Sequence, residues 1–163
     1  MDVKTIGIYG WVPYVGAMIG AWFGGLLAQN RLEAGWDVDK TRKWVITIGC
    51  LIMLPAFFFL MNSTTATSGV IIMAVILFGF QTSIGNVQTL PSDLFGKGSV
   101  GTLAGIAGMA AKLAAFGMTI LMPKLTAGDN YTPAFIVGAA LALIALLAVW
   151  ILIPRVEKVS PQY

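Results

Sequence analysis

Five long, predominantly apolar runs follow one another along the chain, at residues 6–28, 44–61, 69–89, 100–122 and 133–153. Crossing the hydrocarbon core of a bilayer as an α-helix takes ~20 such residues. The runs are continuously apolar instead of alternating, and they are too long for barrel strands, so β-structure is excluded. A soluble fold is excluded as well. Only 10% of residues are charged and 58% are hydrophobic, whereas a soluble domain has about 25% charged residues. So few charges cannot cover a water-facing surface. The expected fold class is therefore an all-α membrane protein with five transmembrane helices and the lipid bilayer as its first partner. No basic n-region precedes the first run and no early cleavage site follows it, so no signal peptide is expected.

Each run has its own character. The first carries Gly16, Gly20 and Gly24 at four-residue spacing, which lays bare backbone down one helix face for close packing. Trp11, Pro13 and Tyr14 suit an interface anchor and a helix start. The segment Gln29–Lys43 concentrates charge and is expected as a loop. The second run has no polar stripe, so it is expected to face lipid, with a bend at Pro55. After a polar turn at Asn62–Ser68, the third run begins apolar and becomes polar. Gln81, Gly85 and Gln88 share one helical face, and Thr82, Asn86 and Thr89 share the adjacent one. Unpaired amides against lipid cost kilocalories each, so this side must look at protein or at a watery cavity. Pro91 is expected to end that helix, with Ser92 or Asp93 capping the next turn. The fourth run places Gly101, Ala104, Gly105, Gly108 and Lys112 on one side, a row most simply read as packing. The fifth is rich in Ala and Leu, apolar all round, and expected to face lipid. Basic residues cluster in the Gln29–Lys43 segment and at Lys97, Arg155 and Lys158, against Lys4 and Lys124 at the other end. The first side is therefore expected to be cytoplasmic, and the C-terminus with it.

Several chemistries are not expected. Gly96-Lys-Gly-Ser-Val-Gly101 matches a dinucleotide-binding pattern but neither follows a strand nor sits in a βαβ unit. Two glycosylation sequons, at Asn62 and Asn130, read as turn chemistry. There is no histidine and no Asp or Glu within a run, so a serine, metal or aspartyl hydrolase lacks its parts. The one cysteine, Cys50, lies among Ile, Leu and Met and reads as a small buried hydrophobe. No enzyme activity, catalytic residue, metal, cofactor or nucleic-acid partner is expected.

Trp11-Val-Pro-Tyr14, Gly24-Gly25, the basic Thr41-Arg-Lys43 and above all Leu90-Pro-Ser-Asp-Leu-Phe-Gly-Lys97 resemble the anion:cation symporter branch of the major facilitator superfamily. Its hexuronate and aldonate transporters look most similar. The resemblance covers essentially the whole chain and implies helices eight to twelve of a twelve-helix fold, with Asp2–Gly7 as the exterior segment before helix eight. Two positions depart from the family pattern. Met18 stands where many members carry an acidic residue, and Gln29-Asn-Arg31 replaces an Asp followed by a basic residue. The resemblance implies a cation-coupled transporter of small organic anions in the bacterial inner membrane. It also implies an N-terminal half as partner, since one incomplete half cannot enclose a substrate. Lys112, Gln81, Asn86 and Gln88 would be this chain's substrate-binding residues. For Lys112, contact with an anion stands beside pairing with a group of the other half. A stand-alone membrane scaffold without transport is the alternative for the chain as a whole.

Overall fold

A computed structural model describes residues 9–153, apart from Gly96 and the side chains of Lys97 and Asp129. Asp2–Gly7, the Gly96 position of the glycine motif, and Pro154, Arg155 and Lys158 lie outside the described residues. Among the described residues five long helices follow in order: α1 (Val12–Glu33), α2 (Val38–Met61), α3 (Ala66–Leu94), α4 (Lys97–Leu125) and α5 (Thr132–Leu152). A single 3-10 turn, Ala127–Asp129, precedes α5. All five are long and apolar enough to cross a membrane.

The helices outrun the apolar runs that announce them. Pro13 starts α1, where its missing N–H costs nothing. The helix then continues past residue 28 to Glu33, and α2 begins at Val38. The expected loop Gln29–Lys43 thus shrinks to residues 34–37, a correction with a clear cause. Polar side chains at a membrane surface do not break a helix, and i,i+4 contacts support it. Gln29 Nε2 donates to Glu33 Oε1 at 2.8 Å, and Lys43 Nζ pairs with Asp39 Oδ1 at 2.8 Å. What does end α1 is Gly35, at φ 83°. Gly35 N–H bonds Leu32 O at 3.0 Å and Trp36 N–H bonds Arg31 O at 3.1 Å, the two crossed bonds of a Schellman cap.

Pro91 does not end α3 either. The helix runs on to Leu94. The hydroxyls of Thr89 and Ser92 donate to the carbonyls of Asn86 and Thr89 at 2.8 and 2.7 Å. These bonds pair the hydroxyls within the helix, while Pro91 leaves only the Val87 carbonyl without its amide donor. Ser92 and Asp93 consequently lie inside α3 and do not cap α4.

Small residues decide the packing. A Cβ on Gly16 or Gly20 would collide with the backbone carbonyl of Ala74 or Phe78, and one on Gly24 would lie 2.8 Å from Thr82 O. The α1 glycine row is thus the α1–α3 contact. Across α2 and α3, Gly49 and Gly79 face each other, and a Cβ on Gly79 would lie 2.6 Å from Gly49 O. This makes α2 the most buried helix, with Val45, Ile46, Gly49, Cys50, Met53 and Ala56 enclosed. The expectation that α2 faces lipid is corrected to one outer stripe, where Leu51, Phe58 and Phe59 are exposed. Lipid is as apolar as leucine, so hydropathy alone cannot tell a helix neighbour from lipid. Helix α5 leans on α2 through Ala142, clustered with Ile46, Cys50 and Met53, and through Gly138 beside Phe57, and is otherwise largely exposed. Helix α4 touches α3 and α5 lightly and buries no described residue. Its row Gly101, Gly105 and Gly108 meets nothing within 4 Å, so that row does not pack within the described chain.

Between α2, α3 and α5 lies an apolar groove of about 620 Å³, lined by Cys50, Met53, Phe57, Phe80, Ile84 and Ala145 among others.

Candidate polar site on α3 and α4

The polar half of α3 divides into two faces with different duties. Thr82, Ser83 and Asn86 are buried. Thr82 Oγ1 donates to Gly20 O at 3.0 Å and to its own helix at Phe78 O at 2.9 Å. Ser83 Oγ donates to Ile46 O at 3.0 Å. Asn86 Nδ2 donates to Thr82 O at 3.1 Å and, more weakly, to Gly24 O at 3.4 Å. The donors of these side chains find acceptors in backbone carbonyls of α3 itself and in those of α1 and α2 that the glycine contacts bring within reach. In a medium without water, each such bond replaces an unpaired polar group.

The acceptor end of Asn86 faces Arg42. Arg42 Nη1 donates to Asn86 Oδ1 at 2.9 Å, and Arg42 Nε pairs with Asp93 Oδ2 at 2.8 Å. The antiparallel α2–α3 hairpin sets the first turns of α2 beside the last turns of α3. That arrangement joins an arginine and an aspartate 51 residues apart. Neither had been singled out as a site residue. The available signal was an arginine early in one helix and an aspartate late in the next, in a chain with very few charges.

The other face of α3 carries Gln81, Gly85 and Gln88. Gln81 is half-buried, Gly85 and Gln88 are exposed, and neither amide side chain has a hydrogen-bond partner among the described residues. A Cβ on Gly85 would meet nothing within 4 Å. Lys112 stands on α4, exposed, with no ion pair or hydrogen bond among the described residues. The four expected site residues therefore fall in three settings. Gln81 and Gln88 share an open face of α3. Asn86 is turned into the helix contacts. Lys112 lies on a different helix and makes no hydrogen bond to the other three. Among the described residues no group of three or more His, Cys, Asp or Glu could hold a metal.

Over 151 residues the chain is 29% identical to the hexuronate transporter of Escherichia coli (strain K12), and equally to the hexuronate transporter of Escherichia coli O157:H7. The alignment takes in 91% of this chain and 34% of each relative. The chain thus spans about a third of the length of the curated relatives it matches. No family model matches the sequence, and no solved structure does. With five membrane-length helices and this match along nearly all of its own length, the chain is a distant homologue of the hexuronate transporters.

Proposed function

We propose that the chain is the C-terminal part of a secondary active transporter of the major facilitator type. It moves small organic anions such as hexuronates, is coupled to a cation, and works with an N-terminal half. The homology supports the substrate class, and the one-third coverage supports the need for further helices. In this reading the α1–α2 turn and the C-terminus are cytoplasmic, because Arg31, Lys40, Arg42 and Lys43 gather at that end against Lys124 at the other.

The observation that carries the reading is Lys112. It sits near the middle of α4, which runs from Lys97 to Leu125, and it is exposed without a partner among the described residues. Half the hydrocarbon core is ~15 Å, beyond the reach of a lysine side chain. A lysine at that depth costs ~2.5–3.5 kcal/mol on insertion scales. A water-filled path and an anionic substrate offset this cost; lipid does not. Gln81 and Gln88 offer donors and acceptors to the hydroxyls of a sugar acid. Asn86 contributes from behind them by fixing α3 against α1 and α2 and by holding Arg42.

The test is uptake of labelled glucuronate by cells making the chain together with an N-terminal half from a hexuronate transporter. Saturable uptake that needs both parts and is lost in Lys112→Ala is the expected result. Normal membrane insertion with no uptake of any organic anion leaves the stand-alone scaffold as the better reading.

A further inference from the structure

We infer that Arg31 and Lys40, converging on Trp36 at the α1–α2 turn, form a binding site for the phosphate of an anionic phospholipid headgroup. The inference uses the membrane-spanning fold alone and does not depend on transport.

The turn is rigid by construction. Gly35 takes φ 83°, and Trp36 N–H is bonded to Arg31 O at 3.1 Å. In a Schellman cap the residue after the glycine usually packs an apolar side chain on the helix's last turn. Here the arginine itself supplies that contact. Arg31 Cζ lies 4.8 Å from the Trp36 ring centre and 5.1 Å from that of Trp44. The two rings stand edge to face at 5.7 Å. Lys40 Nζ approaches the same Trp36 ring to 4.8 Å. Two cations thus contact one aromatic ring at the turn.

No nearby acid forms an ion pair with either cation among the described residues. Glu33 accepts from Gln29, Asp39 pairs with Lys43, and Asp93 pairs with Arg42. Asp37 forms no ion pair with either cation among the described residues. Cation–π contact orients Arg31 and Lys40 but cancels no charge. The position is also right for lipid. Tryptophan favours the headgroup level of a bilayer, and this turn joins two membrane-length helices. A phosphate there would take the forked donors of Arg31 and the point charge of Lys40. The exposed edge of Trp44 gives the adjoining glycerol an apolar shelf.

The experiment measures lipid retention by the purified chain, in detergent micelles supplemented with phosphatidylglycerol or phosphatidylcholine, by native mass spectrometry. Phosphatidylglycerol should be retained in preference, and Arg31→Gln or Lys40→Gln should each cut that preference about fivefold. Lys124→Gln, at the opposite end, should leave it intact. Lys40 is exposed, so its variant reads the site even where Arg31→Gln perturbs folding. Equal retention of the two lipids by the wild type would overturn the inference, as would full preference in the Lys40→Gln chain. Displacement of phosphatidylglycerol by excess inorganic phosphate would mark a free-anion site and overturn the lipid assignment.

Discussion

Arg42 reaches across the α2–α3 hairpin to Asn86, Nη1 donating to Oδ1 at 2.9 Å. The same guanidinium holds Asp93 two turns further along α3, at 2.8 Å. Asn86 in turn donates to Thr82 O and Gly24 O. One line of polar contacts therefore ties α1, α2 and α3 together at one end of the bundle. Each member has its partners fixed by the others, so losing one leaves the rest short of a bond.

Arg42→Ala should destabilise the fold strongly. The side chains of Arg42 and Asp93 are 14% and 20% exposed, so the aspartate would be left largely enclosed with no counter-charge. Breaking a buried pair costs about 3–5 kcal/mol, and the residual exposure puts this one at the lower end. Thermal unfolding in detergent should show a lower midpoint for Arg42→Ala than for the double variant Arg42→Ala, Asp93→Ala. A single variant as stable as wild type would contradict the network.

Neighbouring glycines on α1 should behave oppositely. Gly24→Ala adds a Cβ 2.8 Å from Thr82 O, a rigid backbone atom, while Gly25→Ala adds one with nothing within 4 Å. The first should cost about 1–3 kcal/mol through overpacking. The second should be neutral, or stabilise by about 0.5–1 kcal/mol because alanine is the better helix residue. Comparable unfolding midpoints for the two variants would argue against the α1–α3 contact.

Gly35→Ala places an L side chain in the left-handed region, at φ 83°. The conformation costs roughly 1–2 kcal/mol for a residue with a Cβ. The expected signs are a lowered unfolding midpoint and faster proteolysis at the α1–α2 turn. Gly35→Asn should lose less, since asparagine tolerates this region better.

The five helices were legible because length and hydropathy alone define a membrane span. So was the α1 glycine row, because only small residues let membrane helices touch backbone to backbone. The division of α3 into faces was half legible. Periodicity puts Thr82 and Asn86 beside Gln81 and Gln88, but it does not say which pair meets protein. The Arg42–Asp93 pairing was hidden because it depends on how α2 and α3 cross, not on spacing. The buried position of α2 was hidden for a different reason. Its contact residues, Gly49 and Ala56, sit among large apolar ones, and hydropathy weighs lipid and protein neighbours alike.

Lys112→Ala bears most directly on the proposed transport. On an apolar helix of 29 residues, a mid-span ammonium is tolerated when something compensates its charge. No carboxylate among the described residues does so. The compensating group then comes either from the substrate or from the other half of the transporter, and the two cases separate experimentally. Hydrogen bonds to charged groups contribute about 1.5–3 kcal/mol. If Lys112 meets the substrate carboxylate, Lys112→Ala in the chain joined to an N-terminal half should raise the Kd for glucuronate roughly 10- to 150-fold, with the protein still inserted and folded. Lys112→Arg should recover part of the loss, since the charge returns on a larger, forked group. Gln88→Ala should cost less, because it removes a neutral bond from the same substrate. If Lys112 instead pairs with a carboxylate of the other half, Lys112→Ala strands that acid, so the thermal midpoint falls while the Kd of the folded fraction stays near wild type. Glucuronate binding by isothermal titration, run beside thermal unfolding on the same three variants, decides between them. An unchanged Kd in Lys112→Ala removes this residue from the substrate site.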